Sequence, residues 1–148
     1  MSLVVIGVGN SFRCDDAAGL EVARRLDPAA GAQVHAREGD LAGLVDLWDG
    51  DSSVIVIDSA SSGAPPGTIH RFDAIAHPLP TGLLSSTHAF GVAEAIELAR
   101  ALGRLPASLS VYAIEGSRFE VGQDLSPVVE AAIDRLVDEL QPTLVARS

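Results

Sequence analysis

Hydrophobic and polar positions along this chain switch repeatedly between a continuous apolar run and a helical period. Leu3 to Ile6 is an uninterrupted apolar run stopped by Gly7, Gly9 and Asn10, which predicts a short strand buried on both faces. After Asp15 and Asp16 the spacing becomes helical, with Ala18, Val22 and Leu26 on one stripe, Ala23 beside it, and Glu21, Arg24 and Arg25 outward. Ala32 to Ala36 alternates weakly and predicts a second strand. A helix is expected to open at Asp40 as its N-cap and to bury Leu41, Leu44, Val45, Leu47 and Trp48. Val54 to Ile57, ending in Asp58, is the clearest strand of the chain.

The loop from Ser59 to Gly67 is too short for a crossover helix, so Thr68 to Phe72 is expected to return as an antiparallel strand at a sheet edge. A Pro-containing loop over 73–85 leads to a helix from Thr87 to Leu102, with Ala89, Val92, Ala93, Ile96 and Ala99 inward and His88 in its first turn. Leu109 to Ile114 is a further strand. Ser126-Pro127 opens a last helix, with an inward stripe from Val128 and Val129 to Leu140, and Pro142 is expected to end it. The alternation predicts an α/β fold: a three-layer α/β/α sandwich whose open, mostly parallel sheet has about five strands and one antiparallel edge strand. Residues 1–148 read as a single domain, with no linker or internal repeat.

Composition narrows the function. Ten Lys and Arg against twenty Asp and Glu leave a formal net charge of −10, which disfavours nucleic-acid and anionic-membrane partners. Cys14 is the single cysteine, so no internal disulfide forms; with no basic and apolar leader and no membrane-spanning run, the expected location is the reducing cytoplasm. The turn after the first strand lacks the third glycine of a dinucleotide fingerprint, and the Gly-Lys-Ser/Thr of a P-loop is absent. An acidic loop at that point suits a cation or a polar substrate better than a phosphate.

In doubly wound sheets, sites form outside the carboxyl ends of the strands where strand order reverses, commonly between strands one and three. That rule selects Asp15 and Asp16 after the first strand and Asp58 at the end of the third, with His88 placed to close the crevice. Asp15 is expected to be a helix N-cap, contributing about 1 kcal/mol, with Asp16 facing the crevice. Asp58 ends an apolar strand, where a carboxylate is costly unless it is paired, hydrogen-bonded or bound to a cation. Two carboxylates and a neutral imidazole form a mixed oxygen and nitrogen set suited to a divalent transition metal with open positions. His35, His70 and His77 are read as structural or surface residues, and Cys14 as too close to carboxylates to act as a nucleophile.

Several stretches resemble the hydrogenase maturation endopeptidases: GVGNSFRCDDAAG at Gly7 to Gly19, the Glu38-Gly39 turn, VIVIDSA at Val54 to Ala60 followed by Pro66-Gly67-Thr68, STHAFG at Ser86 to Gly91, and GQDLSPVVEAA at Gly122 to Ala132. The resemblance implies an endopeptidase that removes the C-terminal extension of a nickel-iron hydrogenase large-subunit precursor. It places the family's catalytic and metal-contacting acids on Asp16 and Asp58 and its histidine on His88, and implies that nickel arrives with the precursor rather than as a resident cofactor. Asp16 stands where many relatives carry Glu, and Ile114-Glu115-Gly116 where Pro-Glu is often seen. Two alternatives stand beside this expectation: a divalent-metal-dependent hydrolase of another substrate, and a non-catalytic chaperone that binds nickel or the precursor.

Overall fold

The computed structural model describes residues 2–28, 31–39, 41–84 and 90–146. Five strands, β1 (Leu3–Gly9), β2 (Ala32–Glu38), β3 (Ser53–Ala60), β4 (Ile69–Asp73) and β5 (Ser108–Glu115), form one sheet in the order β2-β1-β3-β5-β4. β2, β1, β3 and β5 run parallel, and β4 is antiparallel to β5. The expected sheet, including its antiparallel edge strand, is therefore borne out.

The apolar runs explain the order. β1 and β3 are buried along nearly their whole length, as strands covered on both faces must be. Alternate residues part to two cores. Val4, Ile6, Val8, Val54, Val56, Leu109 and Val111 face Leu44, Trp48 and the helix α2 (Val92–Ala101). Leu3, Val5, Ile55, Ile57 and Ile114 face α1 (Ala18–Arg25) and α3 (Pro127–Ala146). Helices thus cover both faces, and the chain passes to opposite sides after β1 and β3. The order reversal falls between these two strands, so their carboxyl ends share one crevice.

Close approach of α1 to the sheet fixes the first of these loops. A Cβ on Gly19 would lie 2.3 Å from the carbonyl oxygen of Ile57 and 2.6 Å from that of Val8. Both obstacles are backbone, so Gly19→Ala is expected to destabilise by about 1–3 kcal/mol through overpacking, read as a fall in urea midpoint with an unchanged slope. The glycines here serve helix-on-strand packing.

Five local expectations are corrected. The predicted helix over 41–48 is a single 3-10 turn, Leu44–Leu47, after which Trp48 is extended; the buried Leu44, Val45 and Trp48 need only one turn to reach the core. α2 begins at Val92 after a non-helical Gly91, later than the expected Thr87, and within it Ala95 is fully buried while Ala93 is only partly so. α3 runs through Pro142 to Ala146, because Leu144 packs into the core and offsets the missing N–H bond. On that helix Val128 is 45% exposed, and the inward stripe starts at Val129. The readings placed on Asp40, His88 and Ala89 lie outside the described residues.

Candidate active site

The first loop is folded by its own backbone and stitched to the loop before α3. The N–H of Asp16 bonds the carbonyl of Arg13 at 3.0 Å, and the side chain of Asn10 accepts the N–H of Phe12 at 2.9 Å. Cys14 donates to the carbonyl of Gly122 at 2.9 Å, Gly122 to that of Phe12 at 2.8 Å, and Asp15 to that of Arg118 at 2.8 Å. Cys14 is held at φ 47°, the left-handed region that side chains disfavour. The twist at Cys14 precedes a 3-10 turn, Cys14–Ala17, from which the two neighbouring aspartates engage different partners.

Asp15 is fully buried and accepts four hydrogen bonds: from the N–H groups of Ser117 at 2.8 Å, Arg118 at 2.9 Å and Ser126 at 2.8 Å, and from the Ser126 hydroxyl at 2.8 Å. It makes no capping bond to its own helix. The expected N-cap is corrected: Asp15 clamps the distant loop and the entrance of α3, where N–H groups lack helical partners. A third acid at this edge, Glu115 at the end of β5, is likewise committed. It accepts the Ser62 N–H at 2.8 Å, the Ser62 hydroxyl at 2.6 Å and His70 Nε2 at 3.0 Å. Burial alone would push its carboxyl up, but these bonds from Ser62 and His70 outweigh that and hold it below the usual range.

Asp16 and Asp58 lie at the same carboxyl edge of the sheet and are joined by one residue. The Ser59 hydroxyl donates to Asp16 Oδ1 at 2.8 Å, and the Ser59 N–H donates to Asp58 Oδ1 at 2.8 Å. Both acids are buried. Burial pushes the Asp58 carboxyl up to about 8, against the Ser59 N–H, with the negative charge of Asp16 adding to the rise. A neutral or part-neutral carboxyl beside a second one is the arrangement in which one group holds a proton and the other accepts it. Near neutral pH such a pair can donate and accept protons, or present oxygen donors to a cation. Among the described residues no cluster of three or more His, Cys, Asp or Glu is arranged to hold a metal. His88, the expected third member, lies outside them.

Two residues at this site escaped the sequence reading. Ser59 follows a strand and reads as a turn residue, although the Asp58-Ser59 pair was already part of a recognised stretch. Arg13 places Nη1 3.5 Å from Asp16 Oδ2, with its guanidinium carbon 5.9 Å from the centre of the Phe119 ring.

Comparison with known proteins agrees with this architecture. Residues 41–142 match the model of the HycI family, described as hydrogenase maturation protease. The chain is 26% identical to the hydrogenase 2 maturation protease of Escherichia coli K12, over 97% of this chain and 91% of that protein. It is 27% identical to the hydrogenase expression/formation protein HupD of Thiocapsa roseopersicina, over 90% of this chain and 67% of that protein. The hydrogenase maturating endopeptidase HybD of Escherichia coli superposes with a TM-score of 0.79 at 21% identity, covering 99% of this chain and 93% of that one. The HybD protease of Thermococcus kodakarensis does so with a TM-score of 0.72 at 23% identity, over 97% and 99%. The span matched by the family model contains Asp58, Ser59 and Glu115, and the matches over nearly the whole chain extend the likeness through the loop that carries Asp16. The chain belongs to the hydrogenase maturation proteases and is an endopeptidase.

Proposed function

We propose that this endopeptidase removes the C-terminal extension of a nickel-iron hydrogenase large-subunit precursor, and that it does so after nickel has been inserted. The observation that carries this reading is the pair of buried acids held by Ser59 at the carboxyl edge of the sheet, in a chain whose family acts in hydrogenase maturation. The donor chemistry fits a metal presented by another protein. Two carboxylates supply hard oxygen ligands but fall short of the four donors of a closed structural site, so they suit an ion already anchored elsewhere. His88 is assigned to the same set by the family resemblance. Bound in the precursor, nickel would supply Lewis-acid polarisation at the scissile carbonyl.

The residues of the chain do the rest. Asp16 and Asp58 fix the precursor tail relative to the crevice, and Ser59 keeps both carboxylates in register through its two donors. Asp58, with its raised proton affinity, is the group placed to hold a proton near neutral pH and to pass it during hydrolysis. Incubating the purified chain with nickel-loaded precursor and measuring intact mass tests the reading. A single cut that frees one C-terminal peptide is expected. An unshortened precursor bound stably to the chain would favour the chaperone alternative, and cleavage of unrelated small substrates the general hydrolase.

A further inference from the structure

Arg13 brings a positive charge into a site built from negative ones. Its Nη1 is buried, lies 3.5 Å from Asp16 Oδ2, and has no hydrogen-bond partner among the described residues. The other oxygen of Asp16 is occupied by the Ser59 hydroxyl, so Arg13 and Ser59 address opposite sides of one carboxylate. The guanidinium is not free to swing at no cost. Its carbon sits 5.9 Å from the centre of the Phe119 ring, within cation–π range, and the Arg13 backbone is paired in a parallel bridge with Gly122. A buried donor left without a partner is costly, and structures retain one where it serves the site.

We propose that Arg13 is a resident counter-cation of the Asp16–Asp58 pair, a positioning residue that holds Asp16 toward the crevice and weakens binding of free divalent cations. This rests on the reading of the pair as metal-facing and explains how such a pair stays selective. A guanidinium next to an acceptor oxygen repels any cation that approaches the same carboxylate, so an ion from solution must displace or tolerate that charge. An ion anchored in a precursor arrives with the binding energy of a whole protein contact behind it. Arg13 therefore favours metal presented by a partner over metal free in solution, and the extent of that preference is set by the charge rather than by the shape of the side chain.

The test is titration calorimetry of the full-length chain with nickel chloride, for wild type, Arg13→Met, Arg13→Gln and Arg13→Lys, alongside thermal melts. Arg13→Met keeps an unbranched aliphatic stem and removes the charge; Arg13→Gln is the second neutral variant if the first does not fold. The neutral variants are expected to bind nickel at least about tenfold more tightly than wild type, a difference of about 1.4 kcal/mol. Arg13→Lys, which keeps a charge, should stay near wild type. Equal or weaker binding by the neutral variants, or equal tightening in Arg13→Lys, overturns the proposal. Combining the neutral substitution with Asp58→Asn separates the two claims. Loss of the gain supports both, whereas tight binding that persists without Asp58 shows that the ion sits elsewhere and overturns the metal-facing reading of the pair itself.

Discussion

Asp58→Asn is expected to stop precursor cleavage, by about a hundredfold or more in rate, while leaving the fold at least as stable as wild type at mildly alkaline pH. The two halves of this result have one origin. Asp58 is buried at the end of β3 beside Asp16, and its carboxyl is pushed up to about 8 by burial, with the neighbouring charge adding to the effect. A folded-state value above the unfolded one means that the native chain binds more protons than the unfolded chain between about pH 4 and 8. Stability contributed by the protonated form is fully present below that window and is lost as pH rises through it. Asparagine has the same outline and no proton to lose, so the melting temperature of the variant should gain on wild type as pH rises from about 5 to 8. Activity should move the other way under the proposed function, because an amide neither transfers a proton nor carries the charge proposed to engage a metal-bearing substrate, and displacement of about 1 Å alone costs on the order of a hundredfold. Melts across pH, with cleavage assayed at one pH, check both halves. A large stability loss in Asp58→Asn at every pH would mean that this carboxylate is a structural clamp.

Asp15→Ala is expected to behave in the opposite sense, with a loss of about 3 kcal/mol or more in folding stability. The four donors that Asp15 satisfies are the N–H groups of Ser117, Arg118 and Ser126 and the Ser126 hydroxyl. Truncation leaves the buried N–H and hydroxyl of Ser126 without an acceptor, each costing about 1–3 kcal/mol when solvent cannot replace the bond, and also releases the part-buried N–H groups of Ser117 and Arg118. This exceeds an ordinary N-cap because the carboxylate joins three segments: its own turn, the loop after β5 and the start of α3. Cleavage should fall only as far as folded protein is lost, so specific activity per folded molecule is the discriminating quantity. Urea melts give the stability, and a variant with an unchanged midpoint but no activity would place Asp15 in the chemistry instead.

The contrast between these neighbours also marks how far the sequence could be read. β1 and β3 were legible because a strand covered on both faces reads as a continuous apolar run, and the strand-order rule then brought Asp16 and Asp58 to one edge. That Asp15 and Asp16 engage different partners was also legible, since adjacent positions cannot face the same way. The partner of Asp15 was not. Ser126 is 111 positions away, and a hydrogen bond between distant loops leaves no periodic trace. The 3-10 turn at Leu44–Leu47 was read as a longer helix because one turn and several share the same apolar spacing. Pro142 was read as a stop because proline costs a helical bond, while burial of Leu144 beyond it is a tertiary effect. Ser59 was missed as a bridge since a small hydroxyl residue after a strand gives the same signal whether it turns the chain or joins two acids.

The measurement that bears most directly on the central claim is a time course of intact precursor mass, run in parallel on nickel-loaded and nickel-free large-subunit precursor with equal amounts of the wild-type chain. If Asp16 and Asp58 act as an incomplete ligand set that engages metal held by the precursor, only the loaded form is shortened, by one peptide from its C-terminus. Cleavage of the nickel-free precursor at the same rate would contradict the account and leave the buried pair as a metal-independent acid–base site.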